Sequence, residues 1–354
     1  MAILACFVSN NPDKLELSLY AHSKNFDENT KVLIVDTNAT HAANEKLASE
    51  FNATHVYEEA FKTTVKDEFK PLFQGKFGGN RNICLYHAFR QNANAVFSDD
   101  DTTPFGNPLE KYAQLFDEGK KIVVGKYLRH AGGSSQIILD IMNVLEDYSQ
   151  TGNASASEQL ESFFAGIPKE TDSPVESMGM VGGNCGIHYD VLKKYCFFPT
   201  DYRVEDGIYG TMAEYCVNEK PFNAIANPAV FHTKAPSPNS FLPNLAGELK
   251  GGVIGLAIKD SLEEGRMMAD SIEDRIPDYA RKVFNAYALD VLKFKNEKFH
   301  LEAKAEELGF GEQFKQLSHF TPAAISPLPE ELKRRVALFF YAQDKWPAAL
   351  REGV

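Results

Sequence analysis

The chain has 354 residues, 44% of them hydrophobic and 24% charged, a globular composition and not that of a disordered or fibrous protein. At roughly 150 residues per domain this length predicts about two domains, or one large domain with an extension, and it buries a sizeable core without staples. With 49 acidic against 37 basic residues the net charge is −12, which argues against a nonspecific binder of nucleic acid or anionic membrane while leaving room for a local basic cleft that holds phosphate.

Ile3–Val8 is apolar, has no basic leader and runs into Ser9-Asn-Asn-Pro12. It predicts a buried first strand, being too short for a signal peptide or membrane span. Asp13–Ser23 carries Leu15, Leu19 and His22 at helical spacing, and Lys31–Thr37 is a second strand with Asp36 at its acidic tip. A helix over 41–51, a short strand over 53–57 and an amphipathic helix over 80–92 follow. Ala95–Ser98 is a strand leading into Asp99-Asp-Asp101, and 121–125 is another. Strands alternating with helices predict a parallel α/β sheet, whose ligands gather at the carboxyl ends of the strands. Asp36 and Asp99–Asp101 stand at such ends. The small polar residues of 150–157 and the weak periodicity of 169–180 predict that 149–180 is a partly mobile excursion over a site.

Beyond about residue 245 the pattern is helical, and Tyr279, Val283, Tyr287, Val291 and Phe294 form a stripe that predicts packing against the main domain. No internal repeat is present, and no stretch reaches ~18 consecutive apolar residues, so no transmembrane segment is expected. The five cysteines are scattered and include no Cys-x-x-Cys pair. They predict free buried thiols in a reducing cytoplasm, and neither a disulfide framework nor a zinc site.

Five stretches carry chemistry. In Val96-Phe-Ser-Asp-Asp-Asp101 a buried strand delivers three mutually repelling carboxylates to one place. Such a spot suits a hard divalent cation, Mg²⁺ or Mn²⁺, and through it a phosphate-bearing substrate; a solvated acidic turn is the plain alternative. Gly75-Lys-Phe-Gly-Gly-Asn-Arg-Asn82 is glycine-rich and ends at a helix start, so its amides and Arg81 would meet a phosphate or nucleobase, or simply form a capped turn. Gly182-Gly183-Asn184 allows close backbone approach of a ligand, with Asn184 as its polar contact, or marks a tight strand turn. Glu205-Asp206 precedes a helix over 208–217, where helix capping explains the acids as well as a general base at Asp206 does. His232, at the end of an apolar strand, is a candidate imidazole ligand for the same metal or a structural histidine.

In this order and spacing, the residues resemble the GT-A glycosyltransferases, most closely the family-2-like branch, over roughly residues 1–235. The matching features are the polar loop at Ser9 and Asn10, the acidic strand tip at Asp36, and Arg81-Asn82 at a helix start. Eighteen residues after Arg81 come Asp99-Asp100-Asp101 with Pro104 and Pro108 behind them, then Gly182-Gly183-Asn184, Glu205-Asp206 and His232. The resemblance implies a Rossmann-like, mixed but mainly parallel sheet flanked by helices. It divides the chain into a nucleotide-sugar-binding and catalytic domain over 1–245 and a mostly helical C-terminal region over 246–354. It implies a metal-dependent hexosyltransferase that moves a sugar from a nucleotide-diphosphate donor to an acceptor hydroxyl. Asp99, Asp101 and His232 would hold Mn²⁺ or Mg²⁺. Ser9, Asn10, Asp36, Arg81, Asp99 and Asp100 would serve the nucleotide, Gly183 and Asn184 the sugar, and Asp206 the acceptor proton, with Glu205 positioning the acceptor or capping its helix. The first loop is Ser-Asn-Asn-Pro and not the usual Pro-x-Tyr/Phe-Asn, and the Gln-x-x-Arg-Trp motif of processive synthases is absent. The rival readings are a sugar nucleotidyltransferase, whose basic glycine-rich loop after the first strand is missing here, and a non-catalytic nucleotide-sugar-binding protein.

Overall fold

Alternate residues of the first strand face two different cores. Leu4 and Cys6 join one buried cluster, and Ile3, Ala5 and Phe7 join the other, as expected for a strand covered by helices on both faces. A computed structural model of the chain describes residues 2–36, 40–128, 133–167, 180, 182–218, 221–223, 228–232, 239–264 and 272–352, the side chains of Val217, Asn223 and His232 excepted.

The strands are β1 (Ile3–Ser9), β2 (Thr30–Asp36), β3 (Thr54–Tyr57), β4 (Asn94–Asp99), β5 (Thr102–Phe105), β6 (Ile122–Val124), β7 (Lys126–Leu128), β8 (Asn184–Ile187), β9 (Phe222–Asn223) and β10 (Ala229–His232). Seven of them form one sheet in the order β3-β2-β1-β4-β8-β6-β9, and β5-β10-β7 form a small second sheet. The β3-β2-β1-β4 half is parallel, while β8 runs antiparallel to both its neighbours. The sheet is therefore mixed and mainly parallel, as expected. Its register sets Ser9 opposite Asp36, and Val8 opposite Asp99. The acidic strand tips thus share one edge of the sheet.

Helices Pro12–Ser23 and Pro108–Asp117 cover one face, burying Leu15, Leu19, Leu109, Tyr112, Leu115 and Phe116. Helix Asn80–Arg90 and the C-terminal helices cover the other, in a single buried cluster that runs from Leu4 to Leu350. Residue 245 lies within helix Phe241–Glu263, so the division expected at 245 falls inside an element. No helix among the described residues is long and apolar enough to cross a membrane.

Two expectations change. Much of the excursion expected at 149–180 is ordered packing. Helix Ser134–Thr151 ends there, and a second helix, Ala156–Phe164, buries Leu160, Phe163 and Phe164 at i, i+3, i+4 spacing; residues 168–179 lie outside the described ones. The stripe from Tyr279 to Phe294 is not one helical face either. Helix Ile272–Ala286 buries Tyr279 and Val283, but Ala288 turns left-handed at φ 57° and starts a new helix, Leu289–Phe299, on which Phe294 is 63% exposed.

Candidate active site

Asp99 is the last residue of β4, a central strand, and Asp100 and Asp101 form the turn from its carboxyl end to β5. Its backbone is pinned from below. Ser18 Oγ donates to the Thr102 carbonyl at 2.8 Å, and Thr102 Oγ1 donates to the Asp99 carbonyl at 2.8 Å. Each carboxyl then faces differently. Asp100 accepts from Ser9 Oγ at 2.6 Å. Burial, reinforced by Asp101 and Asp99 and opposed by the Ser9 bond, pushes its pKa up to about 6. Asp101 is paired with Lys14 at 3.4 Å. The Asp99 side chain is 42% exposed.

Opposite Asp99 the chain has no room for a side chain. A Cβ on Gly183 would sit 1.8 Å from Asp99 Oδ2, and one on Gly182 would sit 2.5 Å from Arg81 Nη2. What approaches these glycines is therefore the protein's own carboxylate and guanidinium. Arg81 Nη1 donates to the Gly182 carbonyl at 2.6 Å, its Nε is 3.1 Å from Glu205 Oε1, and its Nη2 is 3.9 Å from Asp99 Oδ1. The guanidinium also lies over the rings of Phe97 and Phe197, at 5.4 and 5.7 Å. Glu205 is 3% exposed. Burial, with Asp206 adding to it and Arg81 opposing it, lifts its pKa to about 7. Helix Glu205–Val217 begins at this residue. Asp206 accepts from the backbone N–H of Gly182 at 2.8 Å and of Gly207 at 2.7 Å, tying the helix start to the glycine loop. Residues 81, 99, 182, 183, 205 and 206, dispersed along the sequence, form one connected network. His232 ends β10 in register with Thr102, the residue after the acidic turn.

Four expected contacts are corrected. Asn184 does not face a sugar: it is 1% exposed, its Oδ1 accepts from Tyr112 OH at 2.8 Å and its Nδ2 donates to the Lys126 carbonyl at 2.9 Å. Asp36 does not face a nucleoside. It is wholly buried, with Oδ2 2.8 Å from His55 Nε2 and Oδ1 3.8 Å from His41 Nδ1. Arg81 is not an open phosphate ligand, because its donors serve Glu205 and Gly182. The glycines of 75–79 serve backbone packing and not a phosphate: the N–H groups of Phe77 and Gly78 reach the Thr200 carbonyl at 3.3 and 3.4 Å, and a Cβ on Gly78 would sit 1.6 Å from the Phe198 carbonyl oxygen. Asn10 is exposed at the tip of β1, beside the Ser9–Asp100 pair.

The sequence reading missed Lys14, Tyr127, His41 and His55. Tyr127 OH reaches Asp99 Oδ2 at 3.5 Å, and burial together with Asp99 keeps the phenol protonated. Lys14 sits three residues past the N-cap Asn11, on the turn of helix that faces Asp101. A lone lysine after a capping Asn at the start of a helix beside β1 was the available signal.

No protein-family model matches the chain, and no curated protein matches it. Among solved structures it is similar to a mycobacterial protein, with 14% identity, 73% of this chain and 74% of the other covered, and a TM-score of 0.45. It is similar to glucosyl-3-phosphoglycerate synthase from Mycobacterium tuberculosis in complex with Mn²⁺, UDP-glucose and phosphoglyceric acid, with 14% identity, 74% and 79% coverage and a TM-score of 0.43. It is also similar to a mannosyltransferase from Pyrobaculum calidifontis in complex with GDP-Man and Mn²⁺, with 13% identity, 97% and 86% coverage and a TM-score of 0.43.

Proposed function

We propose that the chain is a metal-dependent glycosyltransferase of the hexosyltransferase type, using a nucleotide-diphosphate sugar and a hydroxyl-bearing acceptor. One observation carries this reading: the acidic turn after β4 meets Gly183, Arg81, Glu205 and Asp206 in a single network at the carboxyl edge of the sheet. The donor set suits a hard cation, since the turn supplies carboxylate oxygens, and burial, with Asp101 and Asp99 adding to it, raises Asp100 to about 6. Asp99, Asp101 and His232 would hold Mn²⁺ or Mg²⁺ next to the diphosphate. When bound there, the cation supplies the charge that stabilises the departing phosphate.

The chain's own residues do the rest. Ser9 holds Asp100 in place, and Asn10 meets the nucleoside end. Gly183 leaves room for the Asp99 carboxylate. Arg81 fixes Glu205 and the 182 carbonyl, so the wall beside the sugar keeps its shape. Asp206, held at a helix start by two backbone N–H groups, would take the acceptor proton if the reaction inverts.

Calorimetry with a nucleoside diphosphate, with and without Mn²⁺, tests the donor site, and equal affinity in both removes the metal from the reading. Slow hydrolysis of a sugar nucleotide without acceptor supports transfer chemistry. Consumption of nucleotide triphosphate plus sugar phosphate points instead to a nucleotidyltransferase. Asp206→Asn keeps size and one accepting oxygen, so it should fold, bind donor and lose transfer by ~10²–10⁴-fold. Near wild-type transfer by this variant would show that Asp206 only holds the helix start.

A further inference from the structure

Away from the acidic turn, Asp36, His41 and His55 form a second cluster. Asp36 ends β2, His55 lies on β3 diagonally across from it, and His41 opens helix His41–Glu50. One ligand atom from each lies within 4.8 Å of the others. The imidazoles stack, with centroids 4.9 Å apart and planes 22° apart, and Tyr57 lies against His41 at 4.5 Å.

The polar atoms here are incompletely satisfied. Asp36 has 0% side-chain exposure, and among the described residues only its Oδ2 has a hydrogen-bond partner, His55 Nε2 at 2.8 Å. Asp36 Oδ1 and His41 Nδ1 are both buried without a hydrogen-bond partner among the described residues, and they face each other across 3.8 Å. A fully buried carboxylate with an open oxygen is costly, and more so beside an imidazole nitrogen that is also unpaired. A cation between the three groups would satisfy both atoms at once.

We propose that Asp36, His41 and His55 bind a divalent transition metal of the zinc class. Two neutral imidazoles and one carboxylate are a common zinc ligand set, and they leave a fourth position for water. Nitrogen donors rank Zn²⁺, Ni²⁺ and Cu²⁺ above Mn²⁺, whereas the turn at 99–101 offers mainly oxygen. The two sites lie on strands separated by β1, two inter-strand spacings or roughly 10 Å apart. An ion here ties β2 and β3 to helix His41–Glu50 at the edge of the sheet. The scattered cysteines predict no zinc site, an expectation that rests on thiolate ligands alone; this site draws its ligands from residues of three separate elements.

The test uses the full chain, stripped with chelator and free of nucleotide. Zn²⁺ is titrated by calorimetry, and Co²⁺ is added separately to read the visible absorption of a four-coordinate site. Wild type should bind one equivalent of Zn²⁺ and show the Co²⁺ bands. His55→Ala and His41→Ala should each weaken Zn²⁺ by more than the ~10–100-fold that loss of an outer-shell partner costs. An Asp99→Ala/Asp101→Ala double variant should keep the site. His41, 39% exposed in its side chain, is the variant of choice if His55→Ala unfolds. Absence of Zn²⁺ binding to the wild type, unchanged binding in His41→Ala, or loss in the double aspartate variant would each overturn the proposal.

Discussion

Gly183→Ala is the most direct probe of the acidic turn, because the structure gives its effect in distances. An ideal Cβ at this position lies 1.8 Å from Asp99 Oδ2, 2.1 Å from Asp99 Cγ and 2.4 Å from Tyr127 OH. Ordinary contact for such atoms is about 3.5 Å, so the Asp99 carboxylate must retreat by roughly 1.5 Å or the β4–β8 pairing must open. A short side chain moves more easily than a ladder in which Asp99 N donates to the Gly183 carbonyl at 3.0 Å. The fold should therefore lose only about 1–3 kcal/mol, the usual cost of overpacking. Function should lose far more, since a displacement of ~1 Å at a reacting centre costs ~10²-fold. Urea unfolding gives the first number, and calorimetry with Mn²⁺ and a nucleoside diphosphate, followed by turnover, gives the second. Gly247→Ala is the control: its added Cβ meets nothing within 4 Å, in the interior of helix Phe241–Glu263, and it should stabilise the helix by up to about 1 kcal/mol. If Gly183→Ala folds like wild type and binds and turns over donor like wild type, Asp99 is not where the chemistry depends on it.

The other expectations concern stability. Asn184→Ala leaves Tyr112 OH and the Lys126 carbonyl without their partner, so urea unfolding should show a loss of about 1–3 kcal/mol for each, while the folded protein still binds nucleotide; a selective loss of donor affinity would restore Asn184 as a sugar contact. Arg81→Ala strands Glu205 in the interior and should cost about 3–5 kcal/mol, part of which Glu205→Gln should recover in the double variant; an unchanged unfolding curve for Arg81→Ala refutes the brace. His22, 1% exposed with its Nε2 unpaired among the described residues and edge-on to Phe7, has its pKa lowered by burial from 6.5 to about 4. Its neutral form is favoured in the fold, so stability is full above about pH 6.5 and falls as pH drops towards 4, by about 3 kcal/mol for this one group. His22→Phe should flatten that part of the stability profile measured by denaturant titration, and an unchanged slope would place the acid sensitivity elsewhere.

The order of strands and helices was legible because hydrophobic periodicity is local. β1, β2 and β4 are uninterrupted apolar runs, and each ends within a residue or two of where its pattern stops. The acidic turn was legible for the same reason: three carboxylates contiguous in sequence are contiguous in space whatever the fold does around them. The errors lie where a residue's role depends on what the fold brings from far away. Asn184 follows two glycines and looks like a ligand contact, but Tyr112, from helix Pro108–Asp117, occupies its amide oxygen. Asp36 looks like a free strand tip until β3 brings His55, nineteen residues on, to its carboxylate. The glycines of 75–79 look like a phosphate loop because glycine reports only that something comes close. Here the close neighbour is the backbone at Phe198 and Thr200.

Arg81 shows why these partners matter for the chemistry. In the sequence, a basic residue shortly before three acids looks like a phosphate ligand. In the fold its guanidinium is committed to Glu205 and the Gly182 carbonyl, with Asp99 at the limit of ion pairing. Lys14, the other cation drawn to the turn, is held by Asp101. The turn itself carries three carboxyl groups, and among the described residues Arg81 and Lys14 are already engaged with the protein's own acids. In the proposed reading a divalent cation arrives with the diphosphate and bridges it to these carboxylates. On that reading the engagement of Arg81 and Lys14 with protein carboxylates, and not the acidic motif alone, favours a cation as the diphosphate's partner.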